Sequence, residues 1–385
     1  MGNTETRYLP GQVRDAILQA LSSVPRALSV KEIQDKVRQA IGDAPSSSIR
    51  SYLRLNTPML FIRESRGCYR LQDAETTAVR AEAFRAKVSR GPVRIGAAKL
   101  YHADCFDWLA EQPNDTIHAV VTDPPYGLHE YSTDQQSKLR TGKGGVWRIP
   151  PSYDGHVRSP LPRFTTLTSD QLDDLHDFFH AWGRLLLLKL VPGAHVVVAS
   201  NPLVSYIVAS ALALAGLERR GEIIRLVMTM RGGDRPKGAH EQFPEVSVMP
   251  RSMWEPWLVC RKPFEDRVQD NLRSWGTGGF RRPCEERPFG DVIQSSPTRK
   301  EERALAPHPS LKPQAFLRKV VRGVLPLGRG VVLDPFAGAG STLAAAEAIG
   351  YESIGVEQDK TYFEMACEAI PKLKKLRCRT DNHAR

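Results

Sequence analysis

Two short stretches hold the residue types that chemistry needs. The first is Val120-Val121-Thr122-Asp123-Pro124-Pro125-Tyr126-Gly127. Apolar residues end a strand, then come a carboxylate, two prolines and an aromatic ring. Proline fixes φ and biases its predecessor toward extended backbone, so Asp123 and Pro124 are both predicted to be extended. Such a stiff loop holds an acid, several carbonyls and a ring in a fixed relation. The second stretch is Val331-Val332-Leu333-Asp334-Pro335-Phe336-Ala337-Gly338-Ala339-Gly340-Ser341-Thr342. Three apolar residues lead into a glycine-rich turn. A helix is predicted from Ser341 or Thr342 through Ala348, and Ser353–Val356 is a second strand ended by Glu357.

Strand, glycine turn, helix and strand make the layout of a nucleotide site. The glycines allow a ligand close to the backbone, and an acid after the second strand can accept both ribose hydroxyls. Ser341 and Thr342 follow the second glycine, which departs from the dinucleotide pattern Gly-x-Gly-x-x-Gly. No Gly-Lys-Ser/Thr phosphate loop is present either. A ligand without a pyrophosphate fits better: an adenosine carrying a sulfonium and an amino acid, which is S-adenosylmethionine.

The elements that must position these stretches alternate. Lys99–Asp107 reads as a short strand ending at Asp104, with a helix from Cys105 through Trp108 and Leu109. Ile117–Val121 is the next strand. This rhythm predicts an α/β fold, a Rossmann-like, mostly parallel sheet with helices on both faces. It sets Asp104 and Asp123 at the carboxyl ends of strands, where open α/β sheets bind ligands. Further on, Ser169–Leu190 reads as an amphipathic helix and Pro192-Gly193 as a turn. His195–Ala199 is a strand, Pro202–Ala215 a helix, and Ile223–Met228 and Pro256–Cys260 are strands. His308-Pro309-Ser310-Leu311-Lys312-Pro313 precedes an amphipathic helix, Gln314–Val324.

The first 72 residues read differently. A helix spans Gly11–Val24, and a second opens on a capping box of Ser29 and Glu32. A short third helix runs through Ser48–Leu53, and Leu60–Glu64 and Cys68–Leu71 flank a hairpin turn. Together they resemble a small winged helix-turn-helix α+β module, with Arg50 and Arg54 on the groove-entering helix. A module that binds protein, or only packs on the main domain, is the alternative. Residues 73–94 read as a helical linker, 95–378 as the main domain and 379–385 as a tail.

The chain of 385 residues is 41% hydrophobic, enough for a core, and its net charge is +11. Such basicity points to a polyanion, with nucleic acid favoured over membrane. No apolar run reaches the ~18 residues of a membrane span. No basic region followed by an apolar run opens the chain, so no secretory signal is expected. Six scattered cysteines lack zinc spacing and are read as free thiols of a reducing cytoplasm, with no structural metal. Two regions concentrate basic residues. Residues 128–167 hold Lys138, Arg140 and Lys143 and suit a mobile lid, a solvated insertion being the alternative. Residues 229–306 hold Arg231, Arg235 and Lys237 among aromatics and are the candidate target-recognition region.

Asp123–Tyr126 and Phe336–Gly340 together resemble the catalytic and cofactor loops of S-adenosylmethionine-dependent DNA amino-methyltransferases, the adenine-N6 / cytosine-N4 family. The catalytic loop comes first, which resembles the circularly permuted β group. The stretch His308–Pro313 resembles the segment that precedes the cofactor loop there. The resemblance implies that Asp123, Pro124, Pro125 and Tyr126 form the catalytic loop. It implies that Asp104, Asp334, Phe336, Gly338, Gly340, Ser341 and Glu357 surround the cofactor. It also implies double-stranded DNA as substrate, a flipped target base and no metal. Aspartate at the first motif position is commoner among the adenine enzymes, so adenine N6 is the expected target and cytosine N4 the alternative. A catalytically silent DNA-binding protein is a third reading. The expected setting is the cytoplasm, on DNA, for a bacterial or phage-encoded enzyme; a homodimer and a cognate restriction endonuclease stay open.

Overall fold

In the computed structural model the residues described are 12–24, 26–42, 44, 49–50, 52–53, 61–65, 67–71, 91–124, 169–227 and, apart from 237, 249, 251–252, 266 and 309, 236–378. Pro125, Tyr126, Arg54, Lys138, Arg140, Lys143, Arg231, Arg235 and Lys237 lie outside them, as do most of the expected linker, the 128–167 loop and the tail. The chain divides into two compact units, residues 1–90 and 91–385.

The first unit begins with α1 (Gln12–Ser22), β1 (Leu28–Ser29) and α2 (Val30–Ile41). Residues 49–50 and 52–53 are helical, and β2 (Phe61–Ser65) and β3 (Cys68–Leu71) form the expected hairpin. The capping box is present. Ser29 Oγ accepts from Glu32 N at 3.2 Å, and Glu32 Oε2 accepts from Ser29 N at 2.8 Å. A cap of this kind stabilises a helix by about 1 kcal/mol. Ile17, Leu21, Ile33, Val37, Ile49, Leu53 and Phe61 close one core. The short β1 pairs antiparallel with β3, giving the order β1-β3-β2. Two residues show no alternation, so the sequence carried no sign of that strand.

The second unit opens with β4 (Val93–Ile95), β5 (Ala98–His102), α3 (Cys105–Glu111) and β6 (Ile117–Thr122). Next come α4 (Ser169–Lys189), β7 (Leu190–Ala199), α5 (Ser205–Leu214), β8 (Glu218–Leu226) and β9 (Trp254–Arg261). Then follow α6 (Val268–Trp275), β10 (Val292–Gln294), α7 (Lys300–Leu305) and α8 (Gln314–Val324). The last elements are β11 (Val331–Asp334), α9 (Ser341–Ala348), β12 (Glu352–Glu357) and α10 (Lys360–Leu373).

Among the described residues, nine strands form one sheet in the order β10-β8-β9-β7-β6-β11-β12-β5-β4. The five strands from β7 to β5 are mutually parallel. Strand β4 is antiparallel to β5 at one end. At the other end β9 is antiparallel to both β7 and β8, and β10 is parallel to β8. Consecutive residues of β6 and β7 are buried, so both faces of the sheet are covered. On one face Phe316, Leu317, Val320 and Val321 of α8 pack on Ala119, Val121, Val197 and Trp257. The chain proceeds from β6 outward to β7, and from β11 the other way to β12. The switch point of the sheet therefore lies between β6 and β11, at the carboxyl ends that carry Asp123 and Asp334.

Two expectations need correction. Pro192-Gly193 is no turn between helix and strand; it lies inside β7. Gly193 takes φ +78° there, and the pairing with β6 shifts register between Ile117 and Ala119. The Pro192 carbonyl accepts from Asn271 and Thr277 side chains, so the irregular backbone keeps its partners. Strand β5 ends at His102 rather than Asp104, because the Asp104 side chain caps α3. The stretch 261–306, rich in Arg, Pro and Gly, holds α6, β10 and α7, whose short lengths leave no clear period. Among the described residues no helix is long and apolar enough to cross a membrane.

Candidate active site

The glycine loop is tied down at three points. Asp334 ends β11 in a buried position, and its Oδ1 accepts from Thr122 Oγ1 at 2.7 Å and from Phe336 N at 3.2 Å. The first bond joins the ends of the two central strands. Burial pushes the Asp334 carboxyl up to about 6, against the pull of Thr342, Thr122 and the Phe336 amide, with Asp123 adding to the rise. Glu357 ends β12. Its Oε2 accepts from Gly338 N at 2.7 Å and its Oε1 from Asp359 N at 2.8 Å. Burial pushes Glu357 up to about 6 as well, although both amides oppose it.

The third tie is steric. Gly340 has φ +77°, a conformation that side chains resist, and it ends the loop as the residue before α9. A Cβ there would sit 2.5 Å from Ile370 Cγ1 of α10. Gln314 Nε2 donates to Ser341 O at 2.9 Å and fixes the start of α9. The Phe336 ring packs on Trp182 at 5.7 Å and on Phe178 at 6.0 Å. Asp104 accepts from Phe106 N at 2.8 Å and Asp107 N at 3.4 Å, so it is first a helix cap. Burial raises its carboxyl while the two amides resist. Its strand lies beside β12, His102 opposite Glu357, and Ala103 N donates to Glu357 O at 3.1 Å.

Across the same cleft stands Asp123. Its Oδ2 lies 2.8 Å from Lys312 Nζ, and that ammonium lies 3.5 Å from Glu255 Oε1. Glu255 also accepts from Trp257 Nε1 at 2.8 Å and from Arg225 Nη1 at 3.2 Å. Burial lowers Lys312, but Asp123 and Glu255 outweigh it and leave the lysine above its ordinary value. Burial raises Glu255, and Lys312 and Arg225 more than reverse that. His308 is pushed down to about 4 by burial and by Lys312, so it faces the cleft as a neutral ring at neutral pH.

The cleft is small and opens to solvent; Asp123, Lys312, His308, Asp334, Phe336 and Ser341 are among its walls. Of the residues singled out in the sequence, Asp123, Asp334, Phe336, Gly338 and Ser341 meet there. Gly340 stands behind the loop against α10, and Glu357 reaches it through the Gly338 amide. Asp104 lies at the neighbouring strand end, and Arg50 is an exposed residue of the first unit. Sequence reasoning missed Lys312, Glu255 and Arg225 as a group. One signal was available: Glu255 sits in Trp254-Glu255-Pro256-Trp257-Leu258-Val259, a carboxylate at the start of an apolar run.

The family model described as DNA methylase, of the N6/N4 class, matches residues 117–368. The chain belongs to this family and is an S-adenosylmethionine-dependent DNA methyltransferase. It is similar to the Type II methyltransferase M2.LlaDCHI of Lactococcus lactis subsp. cremoris, 23% identical over 71% of this chain and 90% of that one. It is similar to M2.DpnII of Streptococcus pneumoniae, 23% identical over 69% of this chain and 87% of the relative. Among solved structures, a putative DNA modification methylase of Thermus thermophilus complexed with S-adenosyl-L-methionine has a TM-score of 0.44. It is 21% identical, covering 72% of this chain and 95% of that one. The cytosine-N4-specific PvuII DNA methyltransferase has a TM-score of 0.47 at 15% identity, covering 77% and 93%.

The loop's steric tie is testable without the reaction. Gly340→Ala adds a methyl group against Ile370 and forces a side chain into left-handed backbone. The expected loss is about 2–5 kcal/mol of unfolding free energy, the sum of the two costs. It is read as a lower denaturant midpoint at unchanged slope.

Proposed function

We propose that this enzyme transfers the methyl group to the exocyclic N6 amine of adenine in duplex DNA, at a specific site and by direct transfer to a flipped-out base. The observation that carries the reading is the carboxylate of Asp123 facing the glycine loop across one cleft. The lone pair of such an amine is delocalised into the ring and is a poor nucleophile. Asp123 and the Pro124 carbonyl each accept one N–H, which turns the lone pair out of the ring plane. Asp123 then offsets the positive charge that grows on nitrogen, an electrostatic effect of several kcal/mol by order of magnitude, and is placed to take the surplus proton. The target base must leave the duplex to reach this loop, and Tyr126 stacks on it.

The residues opposite fit the methyl donor. S-adenosylmethionine supplies an electrophilic methyl on a sulfonium when bound. Asp334 and Glu357 are buried acids at the two strand ends, where a cationic ligand is welcome. Gly338 keeps the loop backbone open, since a Cβ there would meet the His308 ring at 3.2 Å. Glu357 would accept the ribose hydroxyls, and Asp104 would stand near the adenine. The first unit would hold DNA as a winged helix through Arg50 and Arg54, and the basic segments within 128–167 and 229–306 would track phosphates. The named Type II relatives support a place in restriction–modification, beside a cognate endonuclease and in a cytoplasm.

Three measurements test the chemistry. Asp123→Ala is expected to cut tritium transfer from labelled cofactor to DNA by at least about a hundredfold, with cofactor binding intact. Equal transfer by variant and parent would end the catalytic reading. Nucleoside digestion and mass spectrometry of the product should give N6-methyladenine, and N4-methylcytosine would move the reading to the alternative. Cofactor affinity should fall as pH drops through about 6, where Asp334 and Glu357 take up protons and stop attracting a cation. Calorimetry showing constant affinity from below to above that value would remove both acids from the cofactor site. Finally, Arg50→Ala with Arg54→Ala should weaken duplex binding at matched salt and flatten its salt dependence. Unchanged affinity would leave the first unit without a DNA role.

A further inference from the structure

The cleft holds a group that the reaction, as described, does not use: the ammonium of Lys312. It lies 2.8 Å from Asp123 Oδ2, with a side chain only 8% exposed. Behind it the charges alternate. Lys312 meets Glu255 at 3.5 Å, and Glu255 meets Arg225 at 3.2 Å. Two acids and two bases thus form one neutral, largely buried row, from the catalytic loop to strand β8.

Each member is held by something else. Arg225 donates from Nε to Ser295 Oγ at 3.1 Å and from Nη2 to Ser296 O at 3.1 Å, and its guanidinium lies over the Phe316 ring at 5.4 Å. Glu255 is fixed by Arg225 on one oxygen and by the Trp257 indole on the other. Lys312 hangs from a short anchored segment: Thr298 Oγ1 donates to Leu311 O at 2.5 Å, and Pro313 follows as the cap of α8. A lysine on a flexible stem is a mobile point charge unless its surroundings stop it. Here Glu255 stops it.

Stability alone is a weak reason for such a row. Removing four charges from water is costly, and an apolar set of the same volume often does as well or better. Position is the better reason. An ammonium on one carboxylate oxygen fixes the rotamer of Asp123 and decides which oxygen is turned to an incoming amine. A cation beside a carboxylate also favours its charged form, the one that accepts an N–H. A misplacement of about 1 Å at a reacting group can cost a hundredfold in rate.

We infer that Lys312 is a positioning residue for methyl transfer, holding the Asp123 carboxylate in place, and that Glu255 and Arg225 position Lys312 in turn. The inference rests on the reading of Asp123 as the acceptor of the amine. It gives strands β8 and β9 a part in the chemistry. Arg225 and Glu255 are opposite one another in register, one step from the last pair, Leu226 and Trp254, between which the 227–253 segment runs in sequence. The row of charges therefore begins at the foot of a segment proposed to read the target and ends on the catalytic acid.

The experiment compares Lys312→Met, Lys312→Arg, Glu255→Gln and Asp123→Ala in the full chain. It measures kcat at saturating cofactor and DNA, both KM values, the pH dependence of kcat, and cofactor binding by calorimetry. Among the described residues, the charged or titratable groups facing Lys312 include Asp123, Glu255, Arg225 and His308, with Asp334 beside Asp123. Saturating cofactor keeps the titration of Asp334 out of the comparison. Lys312→Met should lower kcat about tenfold to a hundredfold, leave both KM values unchanged, and move the acid limb to higher pH, since a carboxylate without its cation protonates more readily. Lys312→Arg should restore part of kcat and return the acid limb. Glu255→Gln should lower kcat with cofactor binding intact.

Parental kcat and acid limb in Lys312→Met, beside an inactive Asp123→Ala, would overturn the inference and spare the function. An active Asp123→Ala would overturn the function itself. If Lys312→Met fails to fold, Lys312→Arg and Glu255→Gln decide: parental kcat in both overturns the inference.

Discussion

One hydrogen bond joins two parts of the chain 212 residues apart: Thr122 Oγ1 to Asp334 Oδ1. It closes the pairing of β6 with β11, in which Val332 lies opposite Ala119 and Leu333 opposite Val120. The Asp123 loop leaves one strand and the glycine loop the other, so neither has a cleft to face until that pair forms. The contact is strongly non-local. Folding must therefore assemble much of the sheet before any site exists, and non-local pairing of this kind is slow.

Four acids at or behind the cleft walls are kept in two ways. Asp334 and Glu357 are held by amides and hydroxyls, and burial drives both carboxyls up to about 6. Such groups cost the empty protein stability at neutral pH and lose that cost as the pH falls below 6, because the folded state binds the proton more tightly than the unfolded chain. Asp123 and Glu255 instead face Lys312 and Arg225. One side of the cleft is thus ready to receive positive charge, and the other already has it.

Much of this was legible in the sequence, because it lay in local patterns. The glycine loop between β11 and α9 could be read from Gly338 and Gly340, whose positive φ angles the turn requires. Glu357 could be read from its place at a strand end, and α2 from Ser29 and Glu32. Other features had no local pattern. Pro192-Gly193 read as a turn because those residues usually break strands, yet Asn271 and Thr277, some eighty residues away, satisfy the Pro192 carbonyl inside β7. The row from Asp123 to Arg225 joins residues from four separate stretches, and only the packing of β8, β9 and the segment before α8 brings them together. Short elements such as β1 and β10 were too brief to show a period.

The reversed direction of β9 has a consequence for how such a protein can change. Because β9 runs against β7 and β8 runs against β9, both ends of the 227–253 segment emerge at the edge where Asp123 and Asp334 lie. A loop with fixed ends is tolerant of length: doubling it costs only about 0.6 kcal/mol in closure entropy. Residues can be added, removed or exchanged there while the strand pair beneath keeps its register. The fold thus carries a replaceable part beside a fixed one, and what the replaceable part touches can be rewritten without rebuilding the sheet.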